Sequence, residues 1–181
     1  LTTAERMAIP TEKERLIWMG GDATKEKVAG IDWNGKVFLA DDVEVYYRLL
    51  RDRVPDASEE IIIALAELLC LMVLATARGH AWANRIVLYV SDNQNVVVWL
   101  NKRYSKVPAV QALLRLLGIM EARLGFSVVS TYVRTWRNDT ADGLSREDRE
   151  EVAAGLIADG FKRISEPGAW EHYVRILTTD S

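Results

Sequence analysis

The sequence predicts an α/β domain built on a mixed five-stranded sheet, three antiparallel strands followed by parallel ones, flanked by helices. Three observations lead there. Two short β-prone runs, Val28 to Trp33 and Lys36 to Ala40, are joined by Asn34-Gly35, the strongest two-residue hairpin signal because both positions of a type I′ turn need φ > 0. The run Ile61 to Ala77 is too long and too apolar for a strand and reads as a helix buried on most sides. Beyond it, apolar runs of strand length alternate with helical ones.

Residues 1–14 are polar and mixed and read as a leader. Arg15 to Met19 supplies the first strand, and the Asn34-Gly35 hairpin the next two. Val43 to Arg53 is a short helix ended by Pro55. Asp56-Ala57-Ser58-Glu59 resembles a capping box and opens the long helix from about Ser58 to Arg78, with Gly79 at its close. Arg85 to Ser91 is a continuous apolar run, as expected of a strand covered on both faces. Asn93 to Lys102 is helical. Pro108 suits the first turn of the next helix, and Gly125 stops it. Phe126 to Val133 is the fifth strand, and Ala141 begins another helical stretch. The division is a leader at 1–14, a domain at 15–146 and a C-terminal helical extension at 147–181, broken at Pro167-Gly168.

The chain has 181 residues, 23 Lys+Arg and 26 Asp+Glu, for a net charge of −3. With 49% apolar residues it can bury a core, which excludes a disordered tail, a fibre or a coiled coil. Cys70 is the only cysteine, so no internal disulfide forms, and a reducing, intracellular setting (cytoplasmic or nuclear, not secreted) is expected. Glu67 interrupts the longest apolar stretch, which argues against a membrane span and a membrane partner. No signal peptide opens the chain, and a start at Leu1 reads as a piece cut from a longer product. Mild acidity argues against a generic, charge-driven nucleic-acid binder.

Four acids carry the chemical signal. Glu67 stands among Ile63, Ala64, Cys70 and Leu71 at helical spacing, where a carboxylate is costly unless paired or bound to a metal. Its plain alternative is a solvent gap or a salt bridge. Asp92 ends the apolar strand, where open α/β sheets place ligands; the alternative is a helix cap supplied by Ser91 or Asp92. Asp22 follows Gly20-Gly21, and Asp142 lies just inside a late helix; each alone is an ordinary turn or helix-start acid. Together, four acids that converge make an oxygen-rich site of the kind hard divalent cations prefer. His80, His172 and Cys70 make no zinc signature, and no phosphate-binding glycine loop is present.

These acids lie in motifs. Gly21-Asp22-Ala23-Thr24, Glu67-Leu68-Leu69, Tyr89-Val90-Ser91-Asp92-Asn93-Gln94 and Asn138-x-x-Ala141-Asp142-x-Leu144-Ser145-Arg146 follow one another at gaps of 45, 25 and 50 residues between the acids. Over about residues 15–146 the chain resembles the ribonuclease H domains of retroelement reverse transcriptases, members of the ribonuclease H-like superfamily. The last motif is the most specific. One departure stands out: the resemblance places a histidine ten residues before the final aspartate, where this chain has Tyr132.

The resemblance implies a ribonuclease H-like fold and hydrolysis of the RNA strand of RNA–DNA hybrids, with two Mg²⁺ (Mn²⁺ substituting) held by Asp22, Glu67, Asp92 and Asp142. Asp22 and Asp92 would contact both ions, Glu67 one and Asp142 the other. Asn93, Gln94 and Asn138 are candidates for the hybrid's minor groove, and Lys102, Arg103, Lys106 and Arg134 for its phosphates. The remainder of a polyprotein, with a reverse transcriptase domain, is the implied partner. A catalytically weakened scaffold or connection domain is the alternative, and Tyr132 favours it. Another nuclease of the superfamily, or an interaction module built on the apolar tail from Val152 to Leu177, are further alternatives.

Overall fold

The structure, a computed structural model, describes residues 15–134 and 139–179. The leader at 1–14 and Asn138 lie outside the described residues. Strands β1 (Leu16–Ala23), β2 (Lys27–Asp32) and β3 (Val37–Asp42) form the antiparallel set, and β4 (Ile86–Ser91) and β5 (Ser127–Tyr132) add in parallel beside β1. A two-residue strand β6 (Lys162–Arg163) pairs in parallel with β3, so the sheet has the order β5-β4-β1-β2-β3-β6. The expected mixed five-stranded sheet, three antiparallel strands followed by parallel ones, is present, with this sixth strand at its edge.

The helices are α1 (Glu44–Arg53), α2 (Glu59–Arg78), α3 (Gln94–Lys102), α4 (Pro108–Leu124), α5 (Asp139–Leu144), α6 (Arg149–Ala158) and α7 (Pro167–Thr178). Ser58 caps α2, its hydroxyl accepting from the Ile61 N–H, and Gly125 ends α4 in the left-handed region at φ 78°. By length and composition α2, with the short 3₁₀ turn after it, is apolar enough to cross a membrane. Here it is the core helix: Ile62, Leu65, Leu68, Leu69, Met72 and Val73 are fully buried. It packs on β1 and β2 and is flanked by α1, α3, α4 and α7.

Strand alternation sorts the side chains. Val28 and Leu39 point into the α2 cluster, while Ala29, Ile31, Phe38 and Ala40 point to the other face. There they meet Ala141 and Leu144 of α5 and Ala153 and Leu156 of α6. These helices cover the β2–β3 side of that face. Trp18 on β1, Ile86 on β4 and Val129 on β5 stay about half exposed. The tail divides into α6, β6 and α7, and α7 sets Trp170, Tyr173, Val174 and Leu177 into the α2 cluster.

The hairpin departs from the expected two-residue turn. Asp32 pairs with Val37, leaving Trp33 to Lys36 as a four-residue loop in which Lys36 takes φ 52°. Buried Asp32 sets this loop. Its Oδ1 accepts from the Gly35 N–H at 2.8 Å, and its Oδ2 accepts from Arg78 Nε and Trp82 Nε1 at 3.0 Å each. Gly35 is needed for closeness: a Cβ there would stand 2.3 Å from an Arg78 guanidinium nitrogen.

Candidate metal centre

Parallel pairing of β1 with β4 matches Gly20 with Val90. Asp22 and Asp92 each stand two residues beyond that pair, so both acids leave the sheet at the same end. Glu67 arrives from the middle of α2. One carboxylate oxygen from each of Asp22, Glu67 and Asp92 lies within 4.8 Å of the others. Asp22 and Asp92 also line an open cleft of about 470 Å³ with Glu60, Asn93, Gln94 and Asn95.

Two of the three acids, Glu67 and Asp22, are held by hydroxyls. Glu67 is 1% exposed, and its Oε2 accepts from Tyr89 Oη at 2.9 Å and Ser91 Oγ at 2.7 Å. Asp22 is 8% exposed, and its Oδ2 accepts from Ser145 Oγ at 2.8 Å. Among the described residues no Lys or Arg salt bridge reaches Asp22 or Glu67. Burial, then the Asp92 charge, raises the Asp22 carboxyl to about 7, with Ser145 opposing. Burial raises Glu67 to about 8, with Asp22 and Asp92 adding and Ser91 and Tyr89 opposing. Three crowded oxygen donors with no salt-bridge partner among the described residues, the carboxyls of Asp22 and Glu67 pushed up chiefly by burial, fit a divalent cation by their chemistry.

Asp142 stands apart. Arg146 Nε donates to both its carboxylate oxygens at 2.9 Å. Its charge still adds to the upward shift of Asp22. The closing motif thereby gains physical content. Ala141 and Leu144 anchor α5 in the second core, Ser145 holds Asp22, and Arg146 holds Asp142.

The other expected contacts divide. Asn93 is the cap of α3: its Oδ1 accepts from the Asn95 and Val96 N–H groups, and its own N–H bonds Ser91 Oγ. Asp92 is thus not the cap. Gln94 begins α3 on the cleft. Lys102, Lys106 and Arg134 are exposed. Arg103 is a correction, for its guanidinium is committed within the protein. It bonds both Glu121 oxygens and the carbonyls of Leu100 and Val128, tying α3, α4 and β5 together. Tyr132 pairs with Ser91 in register and is 46% exposed at the end of β5.

Sequence reasoning gave Tyr89, Ser145 and Arg146 no role of their own. The strand period carries a signal for Tyr89, which shares with Ser91 the face turned to α2. Arg146 lies four residues after Asp142, the spacing of helical ion pairs.

No protein family's sequence model matches the chain, and no curated protein matches it significantly. Among solved structures, the chain is similar to the RNase H1 of the halophilic archaeon Halobacterium salinarum NRC-1. They share 16% identity and a TM-score of 0.46, over 75% of this chain and 98% of that one.

Proposed function

We propose that this chain is a divalent-metal-dependent ribonuclease H-type endonuclease that hydrolyses the RNA strand of RNA–DNA hybrids, working as a domain of an intracellular retroelement reverse transcriptase polyprotein. The observation that carries the reading is the convergence of Asp22, Glu67 and Asp92, from two strand ends and a core helix, to within 4.8 Å. The retroelement setting rests on the closing motif through Arg146. The intracellular setting rests on the lone, buried Cys70.

Asp22 and Asp92 would hold both of two Mg²⁺ or Mn²⁺ ions, Glu67 one and Asp142 the other. Cations there supply activation of a water and neutralisation of charge on the leaving 3′ oxygen. The chain's own residues do the rest. Ser145 keeps Asp22 in place from the α5 side. Asn93, fixed as a helix cap, and Gln94 present amides on the cleft, suited to 2′-hydroxyls in a minor groove. Lys102, Lys106 and Arg134 are available for phosphates. Two bound ions add four charges to a net of −3, which lessens repulsion from a polyanion.

Two observations favour a weakened scaffold as the second reading. Asp142 already carries Arg146, and Tyr132 stands where the resemblance places a histidine. Cleavage of an end-labelled RNA–DNA hybrid with and without Mg²⁺ or Mn²⁺ decides. Metal-dependent RNA cuts that vanish in Asp92→Asn support the nuclease. Binding without cutting under either metal establishes the scaffold.

A further inference from the structure

Tyr89 lies in the middle of β4 and is 1% exposed. Its hydroxyl and that of Ser91, two residues on, donate to one and the same oxygen of Glu67. A single donor leaves a carboxylate able to swing about its terminal torsion, which is a broad, soft one. Two donors from the same strand face fix the plane. The phenol reaches Glu67 only because β1 leaves room for it. A Cβ on Gly21 would stand 2.2 Å from Tyr89 Oη and 3.1 Å from its Cζ. Gly21 and Tyr89 are thus matched across β1 and β4, and φ at Gly21 is not in the left-handed region.

We propose that Tyr89 is a positioning residue of the metal centre: through the gap that Gly21 leaves, its hydroxyl helps fix Glu67 Oε2, so that the carboxylate is held in orientation beside Asp22 and Asp92 for the cation. The proposal rests on the metal-dependent reading of these acids. Partners of this kind orient the ligand in advance of binding, and their loss typically weakens metal affinity by about 10- to 100-fold.

The test uses the full chain and two measurements, Mn²⁺ affinity by calorimetry and urea unfolding without metal. Tyr89→Phe is compared with Tyr173→Phe, which removes another hydroxyl that is hydrogen-bonded in the fold, paired with Thr76 Oγ1 at 2.7 Å. Tyr89→Phe is expected to weaken Mn²⁺ binding by about tenfold or more, and Tyr173→Phe to lower stability without changing Mn²⁺ affinity. Gly21→Ala should lose both stability and affinity. Adding Tyr89→Phe to it should recover part of the stability, because the 2.2 Å contact is gone, and none of the affinity. Wild-type Mn²⁺ affinity in Tyr89→Phe, or an equal loss in Tyr173→Phe, overturns the proposal while leaving the metal centre standing. A wild type that binds no Mn²⁺ overturns the metal centre and this proposal with it. If Gly21→Ala does not fold, the pair of tyrosine variants decides.

Discussion

Arg146 grips Asp142 with one nitrogen equidistant from both carboxylate oxygens, at 2.9 Å. The last of the four acids therefore already has a cation, while Asp22 and Glu67 have hydroxyl donors. The site is built in two parts: a crowded trio with excess negative charge, and a neutralised fourth acid beside it.

The ion pair is an exposed one, four residues apart on one turn of chain, so it contributes only about 0.3–0.5 kcal/mol. Arg146→Gln should leave the metal-free melting temperature nearly unchanged. It should enlarge the rise in melting temperature that millimolar Mn²⁺ produces, because Asp142 is released to the cation. An Mn²⁺ response equal to that of the wild type would show that Asp142 has no part in the site.

The raised carboxyls make metal-free stability depend on pH in a defined direction. Asp22 moves from 3.8 to about 7 and Glu67 from 4.5 to about 8. Between the ordinary and the raised values the folded chain keeps protons that the unfolded chain has lost. Their stabilising contribution is complete below about pH 4 and is lost as pH rises through about 7 to 8. Unfolding free energies from urea titrations at pH 5 and pH 8 should differ by about 2–3 kcal/mol on account of Asp22 alone. Asp22→Asn should flatten the profile. A metal-free profile unchanged by that substitution would refute the buried, uncompensated carboxyl.

Asp92→Asn keeps size and removes a ligand charge. Cleavage of hybrid should fall by about 100-fold or more, since each ~1.4 kcal/mol of transition-state stabilisation is tenfold in rate. Hybrid binding measured in Ca²⁺ should change far less. Tyr132→His, at an exposed strand end, should fold normally and raise turnover if that position assists the reaction. Equal cleavage by wild type and Asp92→Asn would remove Asp92 from the mechanism.

Asp32 is fully buried and joins the hairpin to the end of α2 through Arg78 and Trp82. Asp32→Ala strands the indole N–H and leaves a mostly covered guanidinium without its acid, at a cost of about 2–4 kcal/mol. Denaturant unfolding with an unchanged m-value would register it. A loss below about 0.5 kcal/mol, the range of ordinary surface changes, would contradict the network.

What could be read from the sequence followed the regularity of the interactions. The core helix was legible because an apolar run of that length has one stable use, and its interrupting Glu67 pointed directly at the site. Pro108 and Gly125 bounded α4 because each has a specific backbone reason to be there. Less legible were features set by distant partners. Asn34-Gly35 signalled a tight turn, but Asp32, tied to Arg78 forty-six residues on, opened it to four residues. Arg103 looked like a phosphate ligand until Glu121 claimed it. Strand β6 is two residues long and exists because β3 offers it an edge.

The placement of α7 bears on how the chain is made. The core around α2 is complete only when Trp170, Tyr173, Val174 and Leu177 have docked, roughly a hundred residues after α2 itself ends. At synthesis rates of about 5–20 residues per second, that separation corresponds to about 5–20 s. For that interval α2, the most apolar helix among the described residues, waits beside the ribosome with part of its surface uncovered. The nascent chain is therefore a natural client for a holding chaperone, and a ribosome stalled between residues 78 and 167 would display an aggregation-prone product.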